Sequence, residues 1–173
     1  MTNSLPISES YWILPNRFLA GEYPGNFNTE NARRRIDAFL EAGFDTFIDL
    51  TQPHELVHYE STLYEEARIY EIQSTYTRIP IRDGGIPTAQ TMKMILDSID
   101  SALDKNRKLY VHCWGGVGRT GITVGCYLVR HGKTGQQALN QLAEWWQSMP
   151  KRVRHPRSPE TQEQVEFILN WKE

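Results

Sequence analysis

Residues 109–121 read LYVHCWGGVGRTG. Leu109 to His112 form a short apolar run of strand type, residues 113–118 form a turn with one Cys and three Gly, and a helical pattern starts at Thr120. A strand that feeds a glycine turn and then a helix N-terminus makes an anion cradle, because unpaired N–H groups and the positive end of the helix dipole converge there. Cys113 lies at the bottom of this cradle and Arg119 at its lip. A thiol in such a place is a nucleophile suited to an anionic electrophile.

Working outward, the flanking elements alternate. Tyr11 to Tyr23 reads as two short extended pieces around Pro15-Asn16, placed at a sheet edge. Thr29, as N-cap, opens a helix through Ala32, Ile36, Phe39 and Leu40 that Gly43 stops, and Phe44 to Leu50 is a buried strand. Thr51 to Ser61 is a polar loop leading to a short helix through Leu63 and Ala67. Thr77 to Ile81 is a strand broken by Arg82-Asp83-Gly84-Gly85. Pro87-Thr88 opens a helix through Met92, Ile95, Ile99 and Leu103, which returns the chain to the strand at Lys108–His112. Beyond the cradle come three helices: Thr120 to His131, one from Thr134 or Gly135 through Ala138, Leu142 and Trp145, and one capped by Ser158-Pro159 through Val165, Ile168 and Leu169. This order predicts one α/β domain over residues 1–173, with a central sheet and a helical C-terminal half.

Composition excludes several classes. With 173 residues, 39% apolar, the chain is long enough to bury its own core, and a formal net charge of −2 gives no general reason for nucleic acid or membrane binding. Two cysteines make no disulfide framework and suit a reducing, cytoplasmic setting. MTNSLPISES lacks the regions of a signal peptide, and no run approaches the roughly 20 apolar residues of a membrane span.

Two short patterns are set aside. GVGRTG at 116–121 satisfies G-x-G-x-x-G, but helices follow where a dinucleotide site needs a second strand ending in an acidic residue. HELVH at 54–58 satisfies H-E-x-x-H, yet it follows Pro53 in a loop and nothing downstream announces a third ligand. No metal is expected.

His112-Cys113, five residues, then Arg119-Thr120 carries the strongest signal. HCWGGVGRTG resembles the phosphate-binding loop of the protein tyrosine phosphatase superfamily, His-Cys-x5-Arg-Ser/Thr, and the size and order of elements resemble its small dual-specificity branch. The loop is most similar to that of kinase-associated dual-specificity phosphatases. The resemblance implies a central mixed sheet of about five strands flanked by helices, no cofactor, and a monomer acting on a phosphorylated protein or a small phosphorylated metabolite.

The chemistry stands beside that resemblance. A phosphomonoester dianion repels nucleophiles unless its oxygens are held by many donors. Trp114, Gly115, Gly116, Val117 and Gly118 are enough backbone to curl round one phosphate, and Arg119 adds a planar fork that Lys could not supply. A helix terminus contributes up to about 2 kcal/mol to a thiolate, so Arg119, the loop amides and the Thr120 hydroxyl must share its stabilisation. In the family the residue matching Thr120 also eases thiolate departure, and the one matching His112 orders the loop.

The leaving group needs a proton. Asp83 is the expected general acid, on a glycine-bearing loop 30 residues before Cys113, a spacing similar to that of dual-specificity phosphatases; Asp49 is the alternative, and its position after FI suits a structural bond. In SPETQEQVEF, Gln164 matches a water-positioning glutamine of the classical enzymes, while Glu160 stands where another glutamine is expected, and the segment reads equally as an ordinary N-capped amphipathic helix. Lys151, Arg152, Arg154, His155 and Arg157 form a basic run that either attracts anionic substrate or is simply solvated. Trp114 either lines the pocket rim or packs beneath the loop. Cys126, Trp145 and Trp146 read as core. Activity on phosphoproteins competes with two other readings, an inositol-phosphate or phosphoinositide phosphatase and a phosphate-binding module without catalysis.

Overall fold

The computed structural model describes residues 4–173. In chain order the elements are β1 (Ser10–Leu14), β2 (Phe18–Gly21), α1 (Thr29–Glu41), β3 (Thr46–Asp49), α2 (Glu60–Ile69), β4 (Thr75–Arg78), α3 (Ala89–Asp104), β5 (Leu109–His112), α4 (Arg119–Arg130), α5 (Gly135–Trp146) and α6 (Gln162–Leu169), with a 3-10 turn at Pro150–Val153. The five strands form one mixed sheet in the order β1-β2-β5-β3-β4. β1 runs antiparallel to β2, and the other pairings are parallel.

Side-chain alternation along the central strands divides the interior in two. Phe18, Ala20, Ile48, Leu109 and Val111 face α3, α4, α5 and α6, where they join Met92, Ile95, Ile99, Ile122, Val124, Leu142, Trp146 and Ile168. Leu19, Phe47 and Tyr110 point the other way, onto Ile36, Phe39 and Leu40 of α1 and Leu63 and Ala67 of α2. Strands covered on both faces need apolar residues at successive positions, which is why FLAG, TFID and LYVH read as runs and not as alternations. α4 is buried from Arg119 to Leu128, packed between the sheet and α3, α5 and α6.

Four expectations need correction. Of the two N-terminal strands only β1 lies at a sheet edge; β2 is wholly buried and pairs on both sides, because its residues are apolar or small on both faces. The N-cap of α1 is Asn28, whose Oδ1 accepts the Asn31 N–H at 3.0 Å. β4 begins at Thr75 and ends at Arg78, since Pro80 has no N–H to extend the ladder. α6 is capped by Thr161 in a reciprocal capping box with Gln164, while the Ser158 hydroxyl donates to Val117 O at 2.7 Å instead.

Register explains where the site forms. Gly21, His112, Asp49 and Arg78 stand in one row across the sheet, each at the C-terminal end of its strand. The connections that leave this row converge above β5, the usual ligand crevice of a parallel sheet.

Candidate active site

Cys113 follows directly on β5 and is 2% exposed. Its Sγ is 3.1 Å from Thr120 Oγ1, which is also within 3.3 Å of Gly21 O. The Thr120 hydroxyl therefore stands beneath the sulfur at the first turn of α4. Both cysteines are free; burial pushes the Cys126 thiol far up and leaves it an inert core group, as expected.

The loop above Cys113 is held by donors from outside it. Tyr23 N–H bonds Trp114 O at 2.9 Å, Lys151 Nζ bonds Gly115 O at 2.6 Å, and Ser158 Oγ bonds Val117 O at 2.7 Å. In a trans peptide the N–H points opposite to the carbonyl, so outward carbonyls at 114, 115 and 117 turn the amides of Gly115, Gly116 and Gly118 toward the cradle. Gly116 is required twice over: its φ is +72°, and a Cβ there would lie 2.5 Å from the Gly21 carbonyl carbon.

His112 is fully buried between β2 and β3. Its Nδ1 lies 2.9 Å from Cys113 O and its Nε2 2.7 Å from Tyr59 Oη. A carbonyl only accepts, so Nδ1 carries the hydrogen and Nε2 accepts from Tyr59. Burial keeps the imidazole below its ordinary pKa, hence neutral, and the Nδ1–H bond fixes the Cys113 peptide.

Arg119 is 2% exposed and faces two carboxylates. Glu55 binds both terminal nitrogens, with Nη1 to Oε2 at 2.7 Å, and Nη1 also reaches Ile81 O at 3.2 Å. Asp83 Oδ1 lies 2.9 Å from Nη2, and its side chain is 65% exposed. Burial alone would raise Glu55, but Arg119 and the Gln52 N–H outweigh it and hold the carboxyl below its usual range.

Glu55 is the residue sequence reasoning missed. It is the acid of HELVH, and that segment is a loop, not a helix. His58 bonds Pro53 O, and among the described residues no group of three or more His, Cys, Asp or Glu is placed to hold a metal. A buried Arg signals that a carboxylate must meet it. Nothing in the spacing says which one.

The remaining residues divide between rim and scaffold. A cavity of about 260 Å³ opens over Cys113, lined by Asp83, Trp114, Arg119, His155 and Glu160 together with loop backbone. Trp114 takes the rim position, 55% exposed. Gln164 is fully buried: Nε2 donates to Gly85 O at 3.1 Å, and Oε1 accepts from the Glu160 and Thr161 amides, each at 3.1 Å. Asp49 is 1% exposed and accepts from Thr51, Tyr76 and Arg78, with no path to the cavity. The basic run splits: Lys151 supports the loop and Glu22, His155 lines the cavity, and Arg152, Arg154 and Arg157 are exposed outside it. Trp146 is core and Trp145 packs against it, as expected.

A buried thiol under inward amides, with a hydroxyl at the sulfur and a buried guanidinium at the lip, defines an anion site of the thiol-dependent phosphatase class. The chain belongs to the family described as PTP-SAK, the Swiss Army Knife protein, DSP-PTPase phosphatase domain, which matches residues 8–168. Human dual specificity protein phosphatase CDC14C is 27% identical over 124 residues, 69% of this chain and 26% of that protein. Mouse protein tyrosine phosphatase domain-containing protein 1 is 30% identical over 127 residues, 69% of this chain and 17% of that protein. The chain thus spans about a quarter or less of these relatives. The structure of kinase associated phosphatase with its catalytic cysteine replaced by serine superposes with a TM-score of 0.68 at 20% identity, covering 87% of this chain and 83% of that one. The expected α/β fold with a mixed five-stranded sheet is thereby established.

Proposed function

We propose that this chain is a catalytic domain that hydrolyses phosphomonoesters, with phosphorylated proteins as substrates, through a phosphocysteine. The observation that carries the reading is the Thr120 hydroxyl 3.1 Å from Cys113 Sγ beneath a loop whose carbonyls are held outward. The Cys113 thiolate attacks phosphorus while the amides of the Trp114–Gly118 loop and Arg119 hold the non-bridging oxygens. The P–O bond to the leaving group breaks, and Asp83 in its acid form gives that oxygen a proton. Water then attacks the phosphocysteine, Asp83 takes the water's proton, and the S–P bond breaks with the Thr120 hydroxyl stabilising the departing thiolate. Free Cys113 suits a reducing cytoplasmic compartment.

Asp83 lies on the Arg119 edge that a phosphate oxygen would take. Gly84, at φ +68°, lets the loop release it toward the leaving group. Gln164, bonded to Gly85 O, limits how far this loop travels and is given that tethering role in preference to holding the hydrolytic water.

Hydrolysis of 4-nitrophenyl phosphate, inhibited by vanadate and indifferent to chelator, tests the reading. Cys113→Ser should lose at least about 10⁴-fold in turnover while keeping fold and anion binding. Full activity in that variant would remove the nucleophile assignment. An inactive wild type that binds phosphopeptides tightly would favour the binding module.

A further inference from the structure

The charge around the cavity is unusual for a site that must accept a dianion. Arg119 is its one permanent cation among the described lining residues, and that guanidinium already faces Glu55 and Asp83. Glu160 also lines the cavity, its Oε1 3.6 Å from His155 Nδ1. Lys151, the nearest cation beneath the loop, is taken up by Glu22 and Gly115 O. Arg157 bonds the Glu160 backbone carbonyl from outside the cavity, at 3.3 Å.

The position of Glu160 is built. Its N–H is bonded by Gln164 Oε1, and the same Gln164 side chain reaches Gly85 next to the acid loop. The Trp146 indole bonds His155 O at 2.7 Å and holds that partner at the rim. Beside the nucleophile, Trp114 offers an aromatic face 55% exposed, with its carbonyl anchored by Tyr23 N–H. The donors that receive one phosphate are thus deep and mostly backbone, while the exposed side chains that line the cavity include the Glu160 carboxylate and the Trp114 indole.

We propose that Glu160 and Trp114 are specificity-determining residues that select a leaving group carrying no second phosphate and presenting a flat apolar face. Glu160 repels a further phosphate held at the rim. Trp114 packs on the ring of an aryl leaving group. This inference rests on the phosphatase reading and sharpens its substrate class.

The test compares kcat/KM for a phosphotyrosine peptide with kcat/KM for myo-inositol hexakisphosphate in wild type, Glu160→Gln, Glu160→Lys and Trp114→Ala. Wild type should favour the peptide. The ratio should shift toward the inositol phosphate by about threefold in Glu160→Gln and about 30-fold in Glu160→Lys, with the Lys effect shrinking as salt is raised. Trp114→Ala should lose about tenfold on the phosphotyrosine peptide relative to the matching phosphoserine peptide. An equal fall on all substrates in the Glu160 variants would make Glu160 a general catalytic group and overturn its selector role. An unchanged ratio with normal turnover would overturn the proposal and leave the phosphatase reading standing; a wild type inactive on every phosphomonoester would remove both.

Discussion

Residues 109–121 and residues 51–59 contribute to the same site by opposite routes. The first is contiguous: the Cys113 thiol, the loop amides, Arg119 and the Thr120 hydroxyl follow one another along a strand, a turn and a helix start, so their order in sequence brings them together in space. The second is a loop that leaves the end of β3 and carries Glu55 back over the cradle to grip Arg119 through both terminal nitrogens. The contiguous part can be recognised without any structure. The loop part becomes meaningful only when the row Gly21, His112, Asp49 and Arg78 shows which strand ends face one another. A site read from its motif alone would thus place the arginine correctly and leave open what orients it.

The largest effect that tests this pairing comes from Glu55. Glu55→Ala leaves Arg119 buried with only Ile81 O and the exposed Asp83 carboxylate as partners. We expect a loss of about 10²-fold in kcat/KM, because a fork displaced by an ångström no longer meets the phosphate, and a stability cost near 3 kcal/mol, because a buried charge loses its partner. Aryl phosphate kinetics and urea unfolding of the same preparation measure both. Wild-type kinetics in Glu55→Ala would show that the loop is only a neighbour of the cradle.

A smaller effect probes the contiguous side. Gly116→Ala puts a methyl against the Gly21 backbone in a conformation L side chains seldom adopt. We expect about 2 kcal/mol of destabilisation and weaker vanadate binding, since the loop must move off β2 and take its amides with it. The matching change at Gly115, where a Cβ would meet only Val117 Cγ2 at 3.6 Å, should cost far less. Equal costs at the two positions would remove the close-approach argument.

These contrasts account for what the sequence discloses. Hydrophobic patterning places all five strands and six helices, because the central strands are covered on both faces and most of the helices present one apolar stripe. Boundaries slip by up to three residues, as at Ser158, which supports Val117 O and leaves the cap to Thr161. Cys113, Arg119, Thr120 and Asp83 are legible because a motif or a flexible turn marks them. Glu55 and Tyr59 are not, and Lys151 is legible only as a charge in a basic run, because each acts on the cradle from a distant point of the chain through one bond or pair of bonds. Gln164 is legible as a residue of interest in a capped amphipathic helix, and its bonds to Gly85 O and the Thr161 N–H become visible only in the fold.

The last comparison separates the loop carboxylate from a carboxylate elsewhere in the fold. Glu55 is held below its ordinary pKa by Arg119 against the opposing effect of burial, whereas Glu66, on α2 and facing Asp37 of α1, is raised by burial and by that neighbour. The signs differ. A depressed carboxyl contributes stability that is present above the unfolded value and is lost as pH falls through the folded one; a raised carboxyl contributes stability that is present below the unfolded value and is lost as pH rises through the folded one. Glu55→Gln should therefore be less stable than wild type at neutral pH, and the gap should close on the acid side of the normal carboxylate range, where protonated Glu55 is nearly isosteric with Gln. Glu66→Gln should show the reverse, with its gap from wild type shifting in favour of the variant as pH rises past that range. Urea midpoints measured from pH 3 to pH 7 report both, and parallel curves for Glu55→Gln and wild type would mean that the Arg119 pair adds nothing to the folded state.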